Sequence, residues 1–586
     1  MLALLSKERI VAPAGYNRWK VPPASIAIHL CIGSVYAWSI FNPALIRVRG
    51  VVTSAAGDWT LSQVVWIFTV AIATLGLAAA VGGKWLERVG PRKVGVVAAL
   101  CWGGGFLVGG VGIELHWLSL LYLGYGVLGG VGLGLGYVSP VSTLIRWFPD
   151  RRGMAAGLAI MGFGGGALIA APMNEALIRH FYEPPTYLGT VEQVVLTTED
   201  GKRLARVDGT QQEVVVIGPR EVKSMIRPGA EGVYVVGTGR TGIAATFFVL
   251  SGLYALVMLI AAFAYRIPPA GWQPEGWDAA AAEKKKRKLV STHDVSIEQA
   301  VRTPQFYLVW IVLCLNVTAG IGVLGVAKTM MSEIFGTALP EMVTSSFAAT
   351  FVLMISVFNM LGRFFWASAS DYLGRKTTYT LFFILGIALY LLIPVTAVGV
   401  SEHPALFWLV AFYAIVMLIF TLYGGGFATI PAYLADLFGA RFVGGIHGRL
   451  LTAWSVAGVL GPWCITWFRA RSIRSAIDTL VPAIDPERFQ NVFGAPIAQL
   501  EPLLQSKTVT LSRLMEIAPP GTIDPTSTLY NSTMLVMAGL LVVALGANLL
   551  VCPVDPSRYW LLKPLRRGEA SYPPSRPIRY ARAVAT

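Results

Sequence analysis

Asn359-Met-Leu-Gly-Arg363-Phe-Phe-Trp-Ala-Ser-Ala-Ser-Asp371-Tyr-Leu-Gly-Arg-Lys376 closes a run that carries no charge from Met342 to Gly362. With Asp371 marking the end of a helix, a rise of ~1.5 Å per residue sets Arg363 ~12 Å inside it, near the middle of a ~30 Å hydrocarbon layer. A permanent cation at that depth is costly unless it faces protein or water, and it marks a site for an anion.

The composition agrees with a membrane chain. Of 586 residues, 55% are hydrophobic and 13% charged, with a mean hydropathy of +0.61, whereas a soluble globule carries ~25% charged residues. The formal charge of +15 does not point to nucleic acid, because the cations gather in short loops between apolar runs, where membrane orientation requires them. Cys31, Cys101, Cys314, Cys464 and Cys552 lie within apolar runs and are expected as buried thiols, neither paired nor ligating metal. The sequence has no Walker motif, zinc spacing or nucleophile and base constellation, so no catalysis and no cofactor are expected.

Twelve apolar runs begin near Pro22, Leu61, Val94, Trp117, Met154, Gly242, Gln305, Met342, Thr377, Pro404, Leu450 and Tyr530, each long enough to cross a bilayer. They divide six and six around a polar linker, Arg266 to Thr303, with the basic run Lys284 to Lys288. Loops after the even-numbered runs carry Arg88, Arg92 and Lys93; Arg146, Arg151 and Arg152; the linker; and Arg375 and Lys376. The opposite loops carry Glu114, Glu333, Glu341 and Glu402, with Arg47 and Arg49 as exceptions. Both termini are therefore expected in the cytoplasm, in a bacterial inner membrane.

The halves also repeat. Gly83-Lys-Trp-Leu-Glu87-Arg88-Val-Gly90-Pro-Arg92-Lys93 ends the second run as Ala367 to Lys376 ends the eighth. In each, a small residue stands four before a carboxylate and a glycine three after it, followed by cations. We read Gly83, Glu87, Arg88, Arg92, Asp371 and Arg375 as a paired latch that breaks and re-forms as two bundles rock; plain loop anchoring is the alternative.

Two charge-balanced inserts fall on the outer side. Residues 179–241 place Val191 to Thr197 and Glu213 to Ile217 around turns at Glu199 to Lys202 and Asp208-Gly209, a pattern for a small β-rich cap. Residues 469–529 mix helical periodicity with prolines and are expected beside it. The remaining segments are 1–178 (five spans), 242–265 (span six), 266–303 (cytoplasmic linker), 304–468 (spans seven to eleven), 530–553 (span twelve) and 554–586 (basic tail). The predicted fold is an all-α membrane protein of twelve transmembrane helices in two pseudo-symmetric six-helix bundles, with a small β-rich periplasmic insert.

Five strings, GSVYAWSIF (33–41), GYVSPVSTLIRWFPDRRGMAAG (136–157), IMGFGGGA (160–167), YGGGFATIPAYLADLFG (423–439) and HGRLLTAW (447–454), together with the repeated loop, resemble the major facilitator superfamily and, within it, the oxalate/formate antiporter family. The resemblance implies an alternating-access carrier of small carboxylates. It also implies that an Arg on span eight and a Lys on span eleven hold the two carboxylates of oxalate. The first position is Arg363 and the second is Trp454. One cation balances one carboxylate, so a monocarboxylate such as formate, lactate or pyruvate is favoured over oxalate.

Around Arg363, Trp454 is expected ~13 Å deep in span eleven, as a wall that selects size. Tyr36 offers a ring and a phenolic donor, while Trp38, Tyr137 and Tyr423 are further cavity candidates. His29, seven residues before Tyr36 on the same face, is a candidate proton carrier or a satisfied structural histidine. Lys328 ends ~33 Å of helix from Phe306, where snorkelling to the outer mouth competes with recruitment of anions. Arg449 is expected to pair with Asp436.

The expected function is secondary active transport of small carboxylates by anion exchange, since an empty carrier would have to occlude a bare cation. Proton-coupled monocarboxylate symport is the alternative mode; a membrane sensor or scaffold using the insert is the alternative of another class. Expected partners are small carboxylate anions, membrane lipid and, for symport, protons, with no nucleic acid and a monomeric chain.

Overall fold

A computed structural model of the chain describes residues 5–148, 157, 160–222, 225–269, 272–275, 295–439 and 443–554. We number the membrane helices α1 (Pro22–Gly33), α2 (Leu61–Val89), α3 (Pro91–Glu114), α4 (Gly130–Trp147), α5 (Gly166–His180), α6 (Ile243–Ala264), α7 (Pro304–Phe335), α8 (Ser345–Leu373), α9 (Arg375–Glu402), α10 (Leu406–Phe438), α11 (Thr452–Leu480) and α12 (Asn531–Leu550). Among the described residues, 11 helices are long and apolar enough to cross a membrane. The fifth crossing, expected from Met154, is represented by helical residues 160–164 and α5, because most of 151–159 lies outside the described set.

Local chemistry sets where these helices start. Thr60 and Gln63 cap α2 reciprocally, through Gln63 N to Thr60 Oγ1 at 3.3 Å and Thr60 N to Gln63 Oε1 at 2.8 Å. Thr303 and Thr344 cap α7 and α8 in the simpler way. Between α2 and α3 the chain turns at Gly90 (φ 83°), and between α8 and α9 at Gly374 (φ 87°), a conformation that glycine adopts without steric cost.

The six-helix repeat is visible in the packing. α3 lies against α6 as α9 lies against α12, and α2 lies against α4 as α8 lies against α10. Between the halves, α2 meets α11 and α5 meets α8; shifting each by six helices converts one contact into the other. Glycines permit the closest approaches: a Cβ on Gly166 would stand 2.2 Å from the Gly33 carbonyl carbon, and one on Gly362 2.3 Å from the Thr421 oxygen.

The repeated loop works within each half. Arg92 donates to the Phe263 and Tyr265 carbonyls (2.9 and 3.2 Å) at the end of α6. Its counterpart two residues beyond the second turn glycine, Lys376, donates to Leu549 and Val551 (2.7 and 2.9 Å) at the end of α12. Each cation meets the orphan carbonyls and the negative end of a helix dipole. Arg375 donates to Ser370 Oγ and stands 3.6 Å from Asp436 on α10. Arg88 is exposed, a Cβ on Gly83 would meet open space, and the side chains of Glu87 and Asp371 lie outside the described set. Arg449 pairs with Glu298 at 3.7 Å rather than with Asp436, which corrects the expected pairing: Asp436 faces the α8 to α9 turn instead. Cys552 is exposed and Cys101 half-buried, unlike Cys31, Cys314 and Cys464.

Five antiparallel strands form the cap: β1 (Tyr187–Gly189), β2 (Leu196–Glu199), β3 (Lys202–Val207), β4 (Thr210–Ile217) and β5 (Gly232–Val235), in the order β1-β5-β4-β3-β2. Asp200-Gly201 and Asp208-Gly209 have positive φ at both residues (49° and 77°, 50° and 81°), as two-residue hairpins of this twist require. The second insert packs on this sheet: Arg203 Nη2 donates to Val492 O (3.1 Å), Ser506 Oγ to Gly201 O (2.6 Å), and Arg220 pairs with Asp524 (3.1 Å). One insert belongs to each half, so the cap ties the two halves together.

Candidate functional site

Arg363 sits on α8 with 1% of its surface exposed. Its Nε donates to Asn359 Oδ1 (3.1 Å), one turn earlier on the same helix, and its Nη1 crosses to the other half and donates to the Ile160 carbonyl (3.1 Å). Gly164 makes this reach possible, because a Cβ there would stand 2.7 Å from Nε. Among the described residues no carboxylate pairs with the guanidinium, and its Nη2 has no hydrogen-bond partner. The charge is solvated by two neutral oxygens, by the Tyr36 hydroxyl beside it and by the face of Phe427, 5.2 Å from the guanidinium carbon.

A closed ring of aromatic side chains from both halves lies against this group through Phe427. Tyr36 touches Phe163 (5.1 Å between ring centroids), Phe163 touches Tyr137 (5.5 Å), Tyr137 touches Trp454 (5.6 Å), Trp454 touches Phe427 (4.7 Å), Phe427 touches Tyr423 (5.3 Å), and Tyr423 returns to Tyr36 (6.2 Å). Tyr36, Phe163 and Tyr137 come from the first half; Tyr423, Phe427 and Trp454 come from the second. All six rings are at most 2% exposed, so the cage is closed to solvent. The hydroxyls of Tyr36, Tyr423 and Tyr137 lie within electrostatic reach of the guanidinium. Tyr36 and Tyr423 bond to each other at 3.3 Å, while among the described residues Tyr137 Oη, Trp454 Nε1 and Asn359 Nδ2 have no partner. Unpaired buried donors of this kind are costly. Two of them, on Asn359 and Tyr137, stand near the cation, an arrangement that suits a ligand that accepts hydrogen bonds and carries negative charge.

Other sequence candidates lie elsewhere. Trp38 packs on Tyr125 (4.5 Å) and Phe41 (5.6 Å) inside the first half, away from the ring. His29 is buried with Nε2 3.1 Å from the Tyr137 carbonyl; a carbonyl only accepts, so Nε2 carries a proton. Its ring lies 5.4 Å from Tyr137 and 6.2 Å from Phe163, one layer behind the cage. Lys328 does not snorkel. It is 4% exposed and ion-paired with Glu175 on α5, because the close approach of α5 and α7 supplies a carboxylate that helix length alone could not reveal.

Sequence reasoning missed Asn359, Phe163, Phe427 and Glu175. Two of these had a local signal: Asn359 and Phe427 stand four residues from Arg363 and Tyr423, on the same helix faces. Phe163 and Glu175 reach their partners through contacts between separate helices.

The chain is 25% identical over 454 residues to the oxalate:formate antiporter of Oxalobacter formigenes, covering 76% of this chain and 83% of that protein. It is 23% identical over 524 residues to apicoplast pyruvate carrier 1 of Toxoplasma gondii, covering 80% and 87%. Its fold is similar to the inward-facing crystal structure of a bacterial homologue of the human lysosomal transporter Spinster, with a TM-score of 0.56 at 15% identity over 92% of this chain and 97% of that one. With two repeated six-helix halves closing on a buried site, and a match to the Major Facilitator Superfamily over residues 30–189 and 232–462, the chain belongs to that superfamily, as a multi-pass membrane transporter rather than an enzyme.

Proposed function

We propose that this transporter carries small monocarboxylates such as formate, lactate or pyruvate, exchanging one anion for another, with Arg363 holding the substrate carboxylate. The observation that carries this reading is the Nη2 of Arg363, buried beside an aromatic cage and without a hydrogen-bond partner among the described residues. A carboxylate bound there accepts from Nη2 and from the Tyr137, Trp454 or Asn359 donors, while the rings limit the size of its apolar end. One guanidinium compensates one negative charge. A dicarboxylate would leave its second charge among rings, since Trp454 brings no cation.

Exchange follows from the electrostatics. Substrate neutralises Arg363, and the neutral pair crosses the closed state at lower cost than the bare cation. Proton symport is the second reading, favoured by the contact of His29 with the Tyr137 backbone behind the cage. Charge asymmetry of the loops supports a bacterial inner-membrane protein with both termini cytoplasmic. Reconstituted into liposomes, the protein is expected to take up labelled lactate when lactate or formate is inside and to take up little without an internal anion. Strong net uptake into anion-free liposomes would rule out obligatory exchange.

A further inference from the structure

The contact between Lys328 and Glu175 joins the two halves near the side that carries the inserts. Lys328 lies seven residues before the end of α7, ~10 Å of helix, and Glu175 lies five before the end of α5, ~7.5 Å. The carboxylate is held by two donors of the opposite half: Lys328 Nζ meets Oε2, and Ser345 Oγ, at the start of α8, donates to Oε1 at 3.1 Å. Each carboxylate oxygen thus has its own donor. Both donors belong to one half, and the acid belongs to the other.

Separation of α5 from α7 and α8, which opening of this side requires, withdraws Glu175 from both donors together. The consequences for the two charges are unequal. Glu175 keeps a cation on its own helix, Arg179, one turn on and 3.6 Å away. Among the described residues Lys328 has no ion-pair partner besides Glu175, and Arg179 and Arg47 stand within electrostatic reach of it. An opened gate therefore exposes an ammonium and a hydroxyl, spaced for one carboxylate, in a cationic mouth that attracts anions.

We propose that Glu175 occupies, in the closed gate, the place that a substrate carboxylate takes at Lys328 and Ser345 when the gate opens, making these two residues an outer carboxylate site on the path to Arg363. Incoming substrate then replaces the internal acid, and departure of the substrate toward Arg363 lets Glu175 return and shut the gate. This inference rests on the carboxylate-carrier reading of Arg363.

Thermal unfolding of purified protein in detergent, titrated with lactate, separates the two sites. Wild type is expected to be stabilised through Arg363, and Arg363→Gln to lose that stabilisation because Glu175 fills the outer site. Removing the internal acid in Glu175→Ala/Arg363→Gln vacates that site, and lactate then raises Tm again, by about 2–5 °C. A third change, Lys328→Gln, abolishes the rise. Glu175→Gln, which keeps the side-chain volume, replaces Glu175→Ala if the smaller residue impairs folding. Lactate that stabilises wild type but not the Arg363→Gln protein lacking the acid overturns the outer site. Lactate that stabilises neither wild type nor any variant overturns the carboxylate reading itself, and the outer site with it.

Discussion

Substitution of Arg363 by glutamine separates a binding cation from a structural one. In the closed protein the guanidinium is 1% exposed, holds hydrogen bonds to Asn359 and Ile160 at 3.1 Å each, and has no carboxylate partner among the described residues. Removing one member of a buried charge pair costs ~3–5 kcal/mol, so substrate binding should weaken roughly 100- to 4,000-fold at ~1.4 kcal/mol per factor of ten. The effect on the empty protein has the opposite tendency, because glutamine relieves a desolvated cation and retains an amide that can donate to Ile160 or Asn359. We expect counterflow of labelled lactate to disappear at micromolar substrate, while Tm in the absence of substrate stays level or rises. Retained counterflow would remove Arg363 from the substrate site. A large fall in the Tm of the empty protein would show instead that the guanidinium is a structural strut, and that its two protein hydrogen bonds outweigh its desolvation.

Two further outcomes test the cage and the cap. Trp454→Lys sets a second cation against Phe427 and Tyr137, at the loss of three ring contacts; oxalate counterflow should appear and lactate affinity should fall by about tenfold, and a folded variant that ignores oxalate would refute the charge-matching argument. In the cap, burial raises Glu221 above the usual carboxylate range, against the pull of Arg513 and the Thr510 hydrogen bond. A raised acid favours the folded state when protonated, so its contribution is complete below the ordinary value of 4.5 and is lost as pH climbs through the raised one. Glu221→Gln should therefore match or exceed the wild-type Tm at pH 8, with the difference closing toward pH 4; a deficit at pH 8 would mean that the paired charge stabilises the cap.

The sequence by itself determined whatever depends on neighbours along the chain. Apolar runs of spanning length, the charge pattern of their loops, the two turns at Gly90 and Gly374 and the Asp-Gly hairpins of the cap are local properties, governed by desolvation and backbone sterics. The place of Arg363 within an apolar helix was legible for the same reason, since it follows from spacing along the chain. Tertiary structure alone decided which side chains share its space. Trp38 and Tyr36 are two residues apart on one span, yet Tyr36 joins the cage and Trp38 packs into the core of the first half. Lys328 reads as a snorkelling cation until α5 brings Glu175 to it across 153 residues of chain. The contact of Arg363 with Ile160 likewise spans 203 residues. Such contacts depend on how glycine-lined helices cross, and a shift of one residue in a crossing would turn a different ring or charge toward the centre.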